Sequence, residues 1–111
     1  MYKNKPVINI FTHNCNSQVL KEIFAGIEEE GLPYEISEMV YKDVDRLSYE
    51  ASTNSSLEVG IGVNEYEVAI HVRQMKKGEY LFEYSGYKLK HMRVLGSNAA
   101  RYAKKIPFKI I

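Results

Sequence analysis

Gln18-Val19-Leu20-Lys21-Glu22-Ile23-Phe24-Ala25-Gly26-Ile27-Glu28-Glu29-Glu30-Gly31-Leu32-Pro33 is the stretch from which the fold is read. Its apolar residues Val19, Leu20, Ile23, Phe24 and Ile27 fall within one arc of roughly 140° at the helical period. That stripe, centred near Ile23 and Ile27, predicts a helix over residues 18–30 with one face against a core. Gly31 suits the position just past a helix end, where left-handed backbone is common, and Pro33 prevents continuation. Upstream, Pro6-Val7-Ile8-Asn9-Ile10-Phe11 is rich in β-branched residues and reads as a strand. Asn14, Asn16 and Ser17 are each able to cap the helix that follows.

Downstream the alternation continues. Residues 34–40 read as a second extended run, with Tyr34, Ile36 and Met39 inward. Residues 43–51 carry acids first and then Val44, Leu47 and Ala51 at helical spacing, predicting a second helix before the loop Ser52-Thr53-Asn54-Ser55-Ser56. Leu57-Glu58-Val59-Gly60-Ile61-Gly62-Val63 reads as a third strand whose glycines admit a close neighbour. Asn64-Glu65 turns the chain into Tyr66-Glu67-Val68-Ala69-Ile70-His71-Val72, which alternates with period two. Residues 80–84 add a further strand, residues 84–94 have no clear period, and a short helix is expected over about 98–105, with Ser97 or Asn98 as its cap. The order strand, helix, strand, helix, strand predicts an α/β fold: a three-layer domain over residues 1–111, its partly parallel sheet flanked by helices and edged by a hairpin.

Composition narrows the classes. A chain of 111 residues is one domain's worth, and its net charge of +1 with interspersed acids and bases gives no basic footprint for nucleic acid. No apolar run approaches the ~18 residues of a membrane span, and the first residues do not lead into a signal-peptide core. The single Cys15 cannot form an internal disulfide, which fits a reducing cytoplasm. Nine tyrosines and no tryptophan suit half-buried positions at an edge or subunit interface, where the hydroxyl finds a partner. Catalytic signatures are lacking. Gly60-Ile61-Gly62 lies within a strand and has no third glycine at dinucleotide spacing, and no phosphate-binding glycine loop with Lys-Ser/Thr is found. His13 and Cys15 have no second ligand pair for zinc, and nothing in sequence places a base beside Cys15.

Glu28, Glu29 and Glu30 are the unusual feature. A helix C-terminus carries partial negative charge, so acids there are disfavoured by a few tenths to ~1 kcal/mol each. No Lys or Arg lies three or four residues before any of them. The helix period turns Glu29 almost opposite the core, sets Glu28 beside the apolar arc and swings Glu30 back toward its edge. Either the helix end is simply solvated, or a partner supplies the cation as a basic side chain or a metal.

Four tracts carry a resemblance: Gly26-Ile27-Glu28-Glu29-Glu30-Gly31-Leu32-Pro33, Ser55-Ser56-Leu57-Glu58-Val59-Gly60-Ile61-Gly62, Leu95-Gly96-Ser97-Asn98-Ala99-Ala100-Arg101 and Lys105-Ile106-Pro107-Phe108. In this order they resemble the small (beta) subunit of the reactivating factor of coenzyme B12-dependent diol and glycerol dehydratases. Residues 66–93 match loosely, and Thr12-His13-Asn14-Cys15-Asn16 departs from the acidic, glycine-containing turn of that family. The resemblance implies a fold similar to the dehydratase medium (beta) subunit and a chaperone-like role. By exchanging with that subunit, the small subunit helps damaged cobalamin leave. It also implies no catalysis and no cofactor of the chain's own. ATP and Mg²⁺ are expected with a large (alpha), ATPase-like partner, the dehydratase is a transient partner, and nucleic acid and membrane are not partners. The implied location is cytoplasmic, a bacterial microcompartment included. The position matching the family's metal-reaching carboxylate is Glu29, a ligand to a divalent metal held by the large subunit, within an interface of Glu28, Glu29 and Glu30. Two other classes stand beside this one. One is a medium-subunit-like domain contacting cobalamin, which is expected to carry a longer N-terminal portion; the other is a flavodoxin-like module binding an anion at the strand ends.

Overall fold

Alternation along the first strand sends Ile8 and Ile10 to one face of a sheet and Asn9 to the other, and the rest of the molecule is built on those two faces. The computed structural model describes residues 6–86 and 88–110. In chain order it contains β1 (Ile8–Thr12), α1 (Ser17–Glu29), β2 (Tyr34–Glu38), α2 (Val44–Thr53), β3 (Val59–Val63), β4 (Glu67–Val72), β5 (Phe82–Ser85) and α3 (Leu89–Lys104). The five strands form one sheet in the order β2-β1-β3-β4-β5. β1 runs parallel to both β2 and β3, while β3, β4 and β5 are antiparallel. The α/β fold, the partly parallel sheet and the hairpin edge are thus as the sequence predicts.

α1 and α3 cover one face. Ile23 and Ile27 of α1 and Met92 and Leu95 of α3 share a fully buried cluster with Ile8, Ile10, Ile61 and Ile70 of the sheet. The two helices approach backbone to backbone: a Cβ on Gly26 would lie 2.0 Å from the Arg93 carbonyl oxygen, and one on Gly96 2.2 Å from that of Ile23. α2 covers the opposite face. There the Asn9 amide donates to the Ala51 carbonyl at 3.1 Å, and Ser52 Oγ lies 2.7 Å from His71 Nδ1 with both residues wholly buried. Gly60 and Gly62 admit α2 at close range, the role expected of glycines inside that strand.

Local chemistry explains the ends of α1. Asn16 caps it, its side-chain oxygen accepting from the amides of Gln18 (2.7 Å) and Val19 (3.3 Å). Gly31, at φ 78°, takes the left-handed turn that ends it.

Most elements shift by a residue or two from their sequence prediction, and three of the differences are informative. β2 stops at Glu38 rather than Val40, and Ile36 is 44% exposed rather than inward. As an edge strand β2 has a neighbour on one side only; Tyr34 alone of the predicted trio packs on a helix, stacking on Phe24 with ring centroids 4.6 Å apart. α2 continues to Thr53, two residues into the expected loop, with Asp43 as its cap. α3 begins at Leu89, not near Asn98, so Ser97 and Asn98 are fully buried mid-helix residues and not caps. Its start has no side-chain cap, which is why the sequence carries no signal there. Among the described tyrosines only Tyr66 is exposed; Tyr34, Tyr41 and Tyr102 are half-buried and bond through their hydroxyls to Glu28, Glu50 and Gln74. Tyr2 and Tyr87 lie outside the described residues. Among those residues no helix is long and apolar enough to cross a membrane.

Candidate functional site

The acidic end of α1 meets a cationic stripe of α3. Arg93, Ser97, Arg101 and Lys104 recur at intervals of four, four and three, which places them along one helix face. Past α3, Lys105 takes a left-handed conformation (φ 61°), and residues 106–110 run back alongside the helix. Asn98 holds that segment through its amide: Nδ2 donates to the Lys109 carbonyl at 3.0 Å, and Oδ1 accepts from the Lys109 amide at 2.7 Å. Arg101 Nη1 adds a bond to the Pro107 carbonyl at 3.0 Å.

The three carboxylates have three different environments. The Glu30 side chain is only 8% exposed; it accepts from Ser97 Oγ at 2.6 Å, Arg101 Nε at 2.9 Å and Lys104 Nζ at 3.4 Å. The Ser97 hydroxyl, then Arg101 and Lys104, hold its carboxyl down at about 2 against the opposing effect of burial. Lys104 Nζ also donates to the Glu30 carbonyl at 2.8 Å, neutralising the helix end directly. Glu29 is 37% exposed, as its place opposite the core requires. Arg93 forks onto its Oε2 through Nε and Nη2, both at 2.7 Å, and Lys109 Nζ reaches Oε1 at 3.3 Å. Arg93 first and Lys109 next lower its pKa. Glu28, exposed, accepts from the Tyr34 hydroxyl at 3.0 Å.

The outward Glu29 and the inturned Glu30 follow the helical period. In the chain by itself both carboxylates already have counter-charges. They come from residues 64 to 80 positions further along the chain. A local pattern cannot reveal such pairs; the signal was the four-residue spacing of Arg93, Ser97 and Arg101, legible only once α3 is extended back to Leu89.

The other candidates stay separate. His13 Nδ1 lies 2.8 Å from the Met39 carbonyl oxygen, and burial, then Glu38, raises the pKa of the half-buried Cys15 thiol. Among the described residues no three His, Cys, Asp or Glu side chains gather to hold a metal ion. At the C-terminal ends of β1 and β3 a cavity of about 260 Å³ is lined by His13 and Lys42 but also by Asp43, Glu65 and Glu67. Three carboxylates beside one lysine make a poor anion site, which weighs against the free-standing anion-binding module.

Helices on both faces of a sheet led by parallel strands, with the acidic end of α1 ion-paired to α3, define the class as a small α/β domain. Residues 5–109 match the family of the dehydratase medium subunit. The chain is 35% identical to the propanediol dehydratase-reactivating factor small subunit of Citrobacter freundii, over 94% of this chain and 90% of that one. It is 31% identical to the diol dehydratase-reactivating factor small subunit of Klebsiella michiganensis, over 94% of this chain and 84% of the other. Among solved structures it superposes on a chain of a diol dehydratase-reactivating factor complexed with ADP and Mg²⁺ with a TM-score of 0.88, at 30% identity and covering 95% of this chain and 98% of that one. A glycerol dehydratase reactivase chain gives 0.89 at 25% identity, with 95% and 97% covered. The chain belongs to the dehydratase medium-subunit family and, within it, to the small subunits of the diol and glycerol dehydratase-reactivating factors.

Proposed function

We propose that this chain is the non-catalytic partner in a cytoplasmic dehydratase-reactivating complex, and that it works by taking the place of the dehydratase medium subunit while damaged cobalamin leaves. One observation carries this: the family it matches is that of a dehydratase subunit, whereas its near-full-length relatives are subunits of the reactivating factor. A chain with the shape of one partner and the membership of another is suited to exchange.

The large, ATPase-like subunit handles the nucleotide. The related factor is complexed with ADP and Mg²⁺; here Gly60-Ile61-Gly62 is buried in β3 under α2 and so is not a loop able to cradle phosphates. No three His, Cys, Asp or Glu side chains gather to hold a metal ion among the described residues, so a divalent cation at this surface is held mainly by the partner. Glu29 fits as the ligand from this chain: it is ionised, exposed, and bound to side chains that are themselves 49% (Arg93) and 37% (Lys109) exposed. Glu30 does not fit, since its oxygens are enclosed by three donors. Glu28 and Glu30 flank the contact.

Titration of the purified large subunit with this chain in the presence of Mg²⁺ tests the assignment. Glu29→Gln keeps the shape and is expected to weaken association by about thirtyfold or more, as when one member of a desolvated charge pair is removed. Glu28→Gln is expected to change it far less. Complex formation at unchanged affinity with both variants would show that Glu29 does not bridge the subunits.

A further inference from the structure

Residues 106–110 are attached to the rest of the molecule in an unusual way. Ile106, Phe108 and Ile110 are 38%, 41% and 96% exposed, so apolar burial does little to hold the segment. It is held by hydrogen bonds instead: the Asn98 amide on both backbone groups of Lys109, and Arg101 on the Pro107 carbonyl, with one edge-on contact of Phe108 against Phe82 at 5.1 Å. Asn98 is fully buried in the middle of α3, where asparagine is a poor helix former, and both ends of its amide bond the backbone of one residue. What that clamp fixes is the position of Lys109, whose ammonium lies 3.3 Å from Glu29 Oε1 and 3.9 Å from Glu30 Oε2.

We propose that residues 106–110 form a displaceable strap, in which Asn98 presents Lys109 to Glu29 as an internal stand-in for the partner's cation, to be dislodged when the large subunit binds. The proposal rests on Glu29 as the bridging carboxylate and adds what competes for it. The two oxygens of Glu29 are held unequally. Oε2 receives the two-pronged Arg93 fork and stays oriented, whereas Oε1, among the described residues, has a single contact from a flexible lysine. Oε1 is therefore the oxygen an incoming cation takes, and Lys109 is the group that moves. A partly exposed lysine–carboxylate pair is weakly held, so the exchange has a small barrier and a small thermodynamic cost.

The test measures affinity for the large subunit in Mg²⁺ together with hydrogen exchange at the Lys109 amide, which Asn98 Oδ1 protects in the free subunit. Lys109→Gln removes the competing charge from a surface side chain and is expected to tighten binding by about two- to fivefold, the range of an exposed ion pair. In the wild-type complex the Lys109 amide is expected to lose its protection. Asn98→Ala is expected to abolish that protection in the free subunit and to tighten binding similarly; should it fail to fold, Lys109→Gln and the exchange measurement decide alone. If Glu29→Gln weakens binding while Lys109→Gln leaves it unchanged or weaker, Glu29 still bridges and the strap is wrong. If Lys109→Gln tightens binding equally in a Glu29→Gln background, Lys109 acts elsewhere and the strap is again wrong. If Glu29→Gln has no effect, the bridging role falls and takes the strap with it.

Discussion

Glu30→Gln isolates the charge that ties α1 to α3. The folded protein holds this carboxyl at about 2 against an ordinary value of 4.5. At about 1.4 kcal/mol per pH unit that difference corresponds to roughly 3.5 kcal/mol favouring the folded, ionised form. Arg101 and Lys104 are 26% and 35% exposed, and the resulting screening reduces the figure to about 2 kcal/mol. The sign follows from linkage: the folded value lies below the unfolded one, so the stabilisation is complete above pH 4.5 and is lost as pH falls from there toward about 2. Urea unfolding of both proteins at several pH values provides the measurement. Near pH 7 the variant is expected to be about 2 kcal/mol less stable, or about 8 °C lower in Tm for a domain of this size. Near pH 2 the two curves are expected to approach one another, because Glu30 is then about half protonated in the folded protein and almost fully protonated in the unfolded chain. A gap of constant size at every pH would refute the reasoning by assigning the loss to packing. No gap at neutral pH would refute it differently, by showing that desolvation cancels the network.

Two further predictions concern the scaffold, and the same unfolding measurements check them. Gly26→Ala drives a Cβ into the Arg93 carbonyl and the Ser97 amide, at 2.0 and 2.7 Å, and is expected to cost about 3 kcal/mol. Gly31→Ala meets open space and suffers only from φ 78°, costing about 1 kcal/mol; equal losses would contradict a backbone-to-backbone crossing of α1 and α3. Ser52→Ala leaves the wholly buried His71 Nδ1 without its 2.7 Å partner and is expected to cost about 1–3 kcal/mol, a neutral outcome meaning that the pair is not a structural bond.

The parts of the fold that sequence reveals are those decided by neighbours in the chain. The apolar stripe of α1, the left-handed Gly31 and the alternation of β4 are local facts, and the structure repeats them. α3 was legible only in its second half because its sequence mixes two demands. Gly96 lowers helix propensity, yet the approach of the Ile23 carbonyl leaves no room for a Cβ there. Asn98 looks like a cap, yet it is buried to bind the backbone of Lys109. A helix that must pass close to another helix and also hold a returning segment resembles, read locally, a loop followed by a short helix. Ile36 on β2 illustrates the converse: its spacing was right for burial, and its place at the sheet edge left it exposed.

The same limit governs the site, and it divides the acidic tract by function. Taken alone, three consecutive glutamates at a helix end are an excess of charge without an answer; folded, they differ in how much of each carboxylate is already committed. Glu30, enclosed by Ser97, Arg101 and Lys104, ties the end of α1 to α3. Glu29 has one oxygen fixed by Arg93 and the other lightly occupied by Lys109. The proposed exchange between complexes calls for contacts that are oriented in advance but inexpensive to exchange. A forked arginine supplies the orientation, and a lone exposed lysine keeps the exchange inexpensive. Under the proposed strap, Asn98 in the middle of a helix has a role: by fixing the backbone of Lys109 it sets how readily the second oxygen of Glu29 is given up.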